Sequence, residues 1–300
     1  MTPYYSLGTA SKEWHSGVQT ASLTVSYKRD KNSKDYNDGR SIFCRYLLND
    51  ETVTDQRFFE QGRKTAMGNK NRAMVMYKPK IAAIPATHNL SGELAEHYRR
   101  QEISGNLGVT SAKLIIMLPL GGVMPDEMLV DNKKLTDFSG EFENPQKIYV
   151  KDGDVFFAIH PLEVTNKGRK AGMTIRVRGE YLEIALHNYE GEQRNFSRRD
   201  FLHVRNGFGF AIASVEEFDS FEDFVEFENK TVVSDRMITT THSRQTYVRS
   251  VEMISEDMKL ACEVSPASEG IKFMTCNDFP IEIPKLSVTG FDVSTLPYMK

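Results

Sequence analysis

The chain has 300 residues, 40% of them apolar and 26% charged, with a formal net charge of −3. Those proportions are ordinary for a soluble globular protein, and the length suits one large all-β domain or two ordinary ones. The small net charge gives no case for nucleic acid or an anionic membrane as a partner. No apolar run approaches the ~18 residues of a membrane span. The first residues lack a basic region followed by an apolar core, so they do not read as a signal peptide. The compartment therefore stays open.

The opening segment, Tyr4–Thr20 (YYSLGTASKEWHSGVQT), holds the single tryptophan, Trp14, beside His15. Tyr4 and Tyr5 lie upstream and Gln19 downstream, and small residues fill the rest. Such a stretch buries little by itself and reads as a loop that meets a ligand or a neighbouring domain. The abrupt start reads as the C-terminal part of a longer protein or a trimmed chain.

Ser22–Arg29 alternates apolar and polar residues, the mark of a half-buried strand. Lys31–Asp38 reads as a polar turn, and Arg40–Leu48 as a second strand. Val53–Gly68 fits either a short helix or an irregular loop. Arg72–Tyr77 predicts a short strand. Ala82–Gly105 carries Leu90, Leu94 and Tyr98 at helical spacing, which predicts an insertion with a short helix near 90–104 and a candidate division between two lobes. Ala112–Leu118 (AKLIIML) is wholly apolar and predicts a central strand.

From there the β rhythm is regular. Asp131-Asn132, Asp152-Gly153 and Gly179-Glu180 mark hairpin turns. The strands expected around them are 128–130, 133–135, 147–150, 155–159, 173–178 and 181–189, followed by 201–206 and 207–213. Ser214–Phe227 breaks the rhythm. Phe218, Phe221, Phe224 and Val225 recur at spacings of three and four, and Ser214 is followed by Glu217, which predicts an amphipathic helix over 214–227. Strands return over 231–240, 244–250, 260–264 and 270–275, and a proline-rich tail drapes along the sheets. The expected fold is mainly β: a single large antiparallel β-sandwich, supersandwich-like, with one amphipathic helix. The three cysteines, Cys44, Cys262 and Cys276, have no metal-like spacing; Cys262 and Cys276 could bridge two adjacent strands, and buried free thiols are the favoured reading.

No phosphate loop, nucleophile elbow or metal-binding helix motif is present, so chemistry has to come from scattered residues. Trp14 and His15, with Tyr4, Tyr5 and Gln19, offer an aromatic platform beside polar donors, which suits a sugar ring; an interface loop whose Trp anchors a neighbouring domain is the favoured alternative. His160, at the end of Phe157–Pro161, can serve as a base or ligand, or as a satisfied strand-end residue. His187-Asn188-Tyr189 with Glu190 places a histidine near a tyrosine, as acid and base for β-elimination beside a uronate carboxylate. Asn188, Arg176 and Arg178 are of the type that neutralises that carboxylate. A Tyr and a His on alternate faces of one strand is the plainer alternative. The Thr241–Tyr247 segment and the Arg194, Arg198, Arg199 cluster read as a solvated turn and ordinary surface.

The opening segment, together with IHPLEV (159–164), YLEIALHNYEG (181–191) and RNGFGFAIAS (205–214), resembles polysaccharide lyases of the heparinase II/III-like type. In these enzymes an α/α toroid is followed by an antiparallel sandwich. The resemblance implies a carbohydrate-active enzyme whose cleft is completed by a helical toroid domain outside this chain, acting on an acidic or plant-type polysaccharide or oligosaccharide. It further implies that the sandwich lends a histidine or aromatic residue, with His15 and His160 the positions carried over. No organic cofactor is implied, and a structural or catalytic divalent metal such as zinc stays open. The alternative is a non-catalytic glycan-binding or assembly module.

Overall fold

The computed structural model describes residues 4–9, 23–35, 38–49, 62–79, 107–168, 171–196, 204–242, 244–264 and 271–281. Their strands form three antiparallel sheets. Sheet A contains, in spatial order, β1 (Tyr5–Thr9), β2 (Leu23–Lys28), β3 (Gly39–Leu48), β6 (Leu107–Pro119), β13 (Tyr181–Phe196), β12 (Met173–Arg178) and β9 (Gly140–Phe142). Sheet B contains β4 (Gly62–Asn69), β5 (Arg72–Pro79), β14 (Asn206–Ser214), β11 (Val155–Pro161), β10 (Ile148–Asp152), β7 (Glu127–Val130) and β8 (Lys133–Lys134). Sheet C is the meander β15 (Val232–His242), β16 (Arg244–Ile254), β17 (Lys259–Val264), β18 (Ile271–Cys276) and β19 (Phe279–Pro280).

Period-two patterning builds the sandwich between sheets A and B. Ile42, Cys44 and Tyr46 of β3, Leu114 and Ile116 of β6, and Ile184 and Leu186 of β13 point inward from sheet A. They meet Val75, Val150, Phe157, Phe208 and Phe210 of sheet B. The opposite face of sheet B is buried as well. Met74, Met76, Tyr149, Phe156, Ala211 and Ala213 pack against Val251, Met253, Leu260 and Cys262 of sheet C and against the helix. This double burial explains why β11 and β14 read as unbroken apolar runs. The apolar strand β6 is the middle strand of sheet A, as its sequence predicts.

Three expected hairpin turns form as read. Asp131 and Asn132 take positive φ (47° and 64°) between β7 and β8, the pattern of a two-residue hairpin loop. Gly153 (φ 66°) closes β10 on β11, and Gly179 (φ 59°) closes β12 on β13.

Several boundaries differ from expectation. Tyr5–Thr9, read as part of a loop, is the strand β1 paired with β2, with Tyr4 and Tyr5 buried. The strand read as 181–189 runs on to Phe196. The segment left as helix or loop contributes β4, which pairs with β5 along its whole length through a turn with Lys70 at φ 51°. Its mixed polarity hid the strand. The helix α1 is Phe221–Asn229, later than the predicted 214–227. Glu217 spends its carboxylate on the backbone and hydroxyl of Ser214 (2.9 and 3.0 Å), closing a separate turn. Ser220 is the N-cap and accepts from the Asp223 amide at 3.1 Å. Phe221, Phe224 and Val225 still bury the face that the spacing marked. At the other end, Lys147 of the strand β10 side donates to the carbonyls of Asn229 and Thr231 (3.0 and 2.8 Å), satisfying the helix C-terminus.

The three cysteines are free: Cys44 and Cys262 are buried and Cys276 is half-buried. Burial pushes the Cys262 thiol up to about 12. Among the described residues, no helix is long and apolar enough to cross a membrane. The expected insertion helix near 90–104 and the draped tail lie outside the described residues.

Candidate functional site

The outer face of sheet A carries an open pocket of about 530 Å³ over β6, β13, β12 and β9. The β12–β13 hairpin determines what lines it. Met173 and Ile175 point into the core, as do Ile184 and Leu186 opposite. Alternation therefore turns Thr174 and Arg176 outward, together with Glu183 and His187. From β6 come Ser111 and Lys113, which pair with Glu190 and His187 across the ladder. Asn49, at φ 60°, folds the end of β3 onto β6: its amide donates to Ser111 O and its side chain accepts from Thr110 N.

A bulge in β13 shapes the centre of the pocket. His187 pairs with Lys113 and Tyr189 with Ala112, so Asn188 is the extra residue. In a regular strand, residues three apart face opposite sides. The extra residue restores His187 and Glu190 to one side, with Nδ1 and Oε2 3.2 Å apart. On its other side, His187 Nε2 lies 2.8 Å from Thr174 Oγ1. Thr174 is 8% exposed and His187 2%.

Next to this chain of groups, the fully buried carboxylate of Glu183 takes three cations. Arg176 Nη2 stands at 2.8 Å, Arg178 Nη1 at 2.9 Å and Lys113 Nζ at 3.7 Å. Around the pocket, Lys113, Arg176 and Arg178 face the carboxylates of Glu183, Glu141 and Glu190, so the charges balance. Ser111 Oγ is buried and has no hydrogen-bond partner among the described residues. An unsatisfied buried hydroxyl costs roughly 1–3 kcal/mol unless something bonds it. In a pocket wall it is a donor and acceptor ready for a ligand.

No family model, curated protein or solved structure matches this chain. The site therefore has to be read from its own geometry.

Of the residues singled out in the sequence, Arg176, His187 and Glu190 meet in the pocket, and Arg178 stands beside it on Glu183. The other described candidates lie elsewhere. Tyr189 points inward, edge-on to Phe196 at 5.0 Å, and its hydroxyl donates to Glu192 O at 2.7 Å. Asn188 is 1% exposed and lies between the sheets, bonded to Tyr46, Asn206 and two carbonyls. Thus Tyr189 and Asn188 do not face His187's pocket.

His160 is fully buried on the other face of sheet B, with Nε2 2.9 Å from Glu228 of α1. Arg72 lies 2.7 Å from the second oxygen of that carboxylate. Burial works to raise the Glu228 carboxyl, but bonds from His160 and Arg72 outweigh it and hold the group at about 2. Burial lowers His160 below its ordinary value despite Glu228. His160 thus reads as a neutral Nε2–H donor in a network that fastens the helix to the sheet. Tyr5 donates to Glu217 at 2.9 Å, and burial followed by that carboxylate raises its hydroxyl. Trp14, His15 and Gln19 lie outside the described residues, as do Arg198 and Arg199.

Sequence reading missed Thr174, Ser111, Lys113 and Glu183. Each sits at an outward position of a strand whose inward positions are apolar. Their shared face was legible by alternation. Which strands lie side by side was not.

Proposed function

We propose that this chain is the sandwich portion of a carbohydrate-active protein and that a saccharide occupies the pocket on the outer face of sheet A. The observation that carries this is the pocket wall: a buried, unbonded Ser111 hydroxyl beside Thr174, His187, Lys113 and Arg176 in a cavity of about 530 Å³. Sugars present rings of hydroxyls that both donate and accept, and a wall of hydroxyl, imidazole and cationic donors answers that chemistry. Lys113 and Arg176 on the pocket wall can each donate to a sugar hydroxyl or carboxylate. In a carbohydrate enzyme of the toroid-plus-sandwich type, a helical domain would complete the cleft.

A non-catalytic glycan-binding module is the second reading, favoured by Tyr189. Its hydroxyl is turned inward onto Glu192 O, so a His–Tyr pair for β-elimination is not assembled at His187.

Calorimetric titration with neutral and uronate-containing oligosaccharides tests the proposal. Binding is expected to weaken at least about tenfold in Arg176→Ala, which is roughly 1.4 kcal/mol. Failure of the wild-type chain to bind any oligosaccharide removes the proposal. Release of unsaturated uronate product by the chain would revive elimination.

A further inference from the structure

The three groups along the pocket floor make a directed chain. Glu190 Oε2 lies 3.2 Å from His187 Nδ1, a close contact short of hydrogen-bond geometry, and His187 Nε2 lies 2.8 Å from Thr174 Oγ1. A carboxylate beside Nδ1 favours the tautomer with its proton there. Nε2 then has only a lone pair to offer, so the Thr174 hydroxyl donates to it. A hydroxyl bonded to an imidazole whose other nitrogen lies close to a carboxylate is the arrangement that activates an oxygen nucleophile. The bulge at Asn188 is what makes it, because an unbulged β13 would carry Glu190 on the opposite face. Bulges that re-aim side chains in this way recur beside active sites.

We propose that Thr174 is an acyl-accepting nucleophile, with His187 its base and Glu190 a positioning residue, and that the pocket hydrolyses O-acyl esters carried by a saccharide. The saccharide part rests on the preceding function; the nucleophile does not. In the first half, the Thr174 hydroxyl proton passes to His187 Nε2 as Oγ1 bonds to the ester carbonyl carbon. The carbonyl π pair moves to its oxygen, and Arg176, on the same face of β12 and in the same pocket wall, supplies positive charge near it. Collapse breaks the bond to the alcohol oxygen, which leaves with the proton from His187, and the acyl group stays on Thr174. In the second half, His187 takes a proton from water, the water oxygen attacks the acyl carbon, and Thr174 Oγ1 departs and is reprotonated. Ester and water become acid and alcohol, and no redox partner is needed.

The test uses three probes: a fluorophosphonate, 4-nitrophenyl acetate and an O-acetylated xylo-oligosaccharide. The wild-type chain is expected to form one phosphonyl adduct, mapped by peptide mass spectrometry to Thr174, and to hydrolyse both esters. Thr174→Val and His187→Ala are expected to lose at least about 100-fold in rate, while Thr174→Ser keeps activity and labelling. Glu190→Gln should lose at least about tenfold with the oligosaccharide's KM little changed, an effect on kcat that a merely structural residue would not produce. If Thr174→Val does not fold by circular dichroism, wild-type labelling and Thr174→Ser decide. No adduct, or an adduct on another residue, overturns the nucleophile. Oligosaccharide binding without ester turnover also overturns it and leaves the glycan proposal standing. Turnover of 4-nitrophenyl acetate alone keeps the nucleophile and overturns the saccharide ester.

Discussion

Arg40 Nη1 lies 2.7 Å from Asp152 Oδ2, and this bond joins the two sheets of the sandwich, since Arg40 belongs to β3 of sheet A and Asp152 to β10 of sheet B. Asp152 is fully buried and also accepts from Tyr27 at 2.5 Å and Arg29 at 2.6 Å. Arg40 uses its other nitrogen on the carbonyls of Leu120 and Val123. Burial, then the carboxylate, holds the Tyr27 hydroxyl well above its ordinary value. A buried charge tolerates this position because every partner is present at once.

Removing one partner should therefore be expensive. Asp152→Asn leaves Arg40 buried without a counter-charge and is expected to cost about 3–5 kcal/mol in urea unfolding. Asp126 also bonds Arg29, at 3.0 Å, but is half exposed. Asp126→Asn is expected to cost about 1 kcal/mol or less through that pair. Equal costs for the two substitutions would contradict the bridging role.

Beside this lock, the Gly153 turn passes close to the chain leaving β2. A Cβ at Gly153 would stand 2.2 Å from the Arg29 carbonyl oxygen, and the residue has φ 66°. Both the backbone region and the space reject a side chain. Gly153→Ala is expected to cost about 1–3 kcal/mol from the backbone strain alone, read as a lower denaturation midpoint. By comparison, Gly179 at φ 59° has open space where its Cβ would stand. Gly179→Ala should thus be the milder of the two.

Much of the fold was legible because hairpins announce themselves locally. Asp131-Asn132, Gly153 and Gly179 carry the conformations their residue types suggest, and strands on either side alternate as written. The mainly antiparallel β architecture with one amphipathic helix follows from such signals. What hid were features decided by non-local pairing. β4 has no alternation of its own and exists because β5 supplies its ladder. Ser214 and Glu217 carry a capping signature yet close a turn ahead of the helix. In the pocket, Arg176, His187 and Glu190 are legible as residue types. Their meeting with Thr174 depends on a bulge, and a bulge leaves no pattern in a single sequence.

Acid should loosen the fastening of α1. Glu228 sits at about 2 in the folded chain, against an ordinary value of 4.5. A depressed folded-state value contributes stability above 4.5, and that stability is lost as pH falls from there through about 2. The full difference is on the order of 3 kcal/mol. His160 acts with the same sign, because the unfolded chain accepts the imidazole proton before the buried site does. Chemical denaturation from pH 7 down to pH 3 is expected to show falling stability, and Glu228→Gln should flatten the slope below pH 4.5. An unchanged slope in that variant would remove Glu228 as its source.

Asn188 supports the bulge with four side-chain bonds. Its Oδ1 accepts from Tyr46 at 2.7 Å and from Asn206 at 2.8 Å, and its Nδ2 donates to the carbonyls of Thr165 and Arg205, both at 2.8 Å. The residue is 1% exposed, so water cannot replace these partners freely. Asn188→Ala leaves a buried hydroxyl, a buried amide and two carbonyls each short of a bond. The expected cost is about 2–4 kcal/mol, from unsatisfied groups rather than lost apolar contact. Asn188→Asp keeps the volume and the acceptor but points an oxygen at the two carbonyls, so it should be at least as harmful as Ala. Deleting Asn188 is the sharper test. It would restore regular alternation and turn Glu190 away from His187, so a deletion that folds should lose the 3.2 Å contact between them. The imidazole proton resonance of His187, followed by NMR in the wild-type and deleted chains, reads that loss. If it does not move, the bulge is not what brings the two residues together.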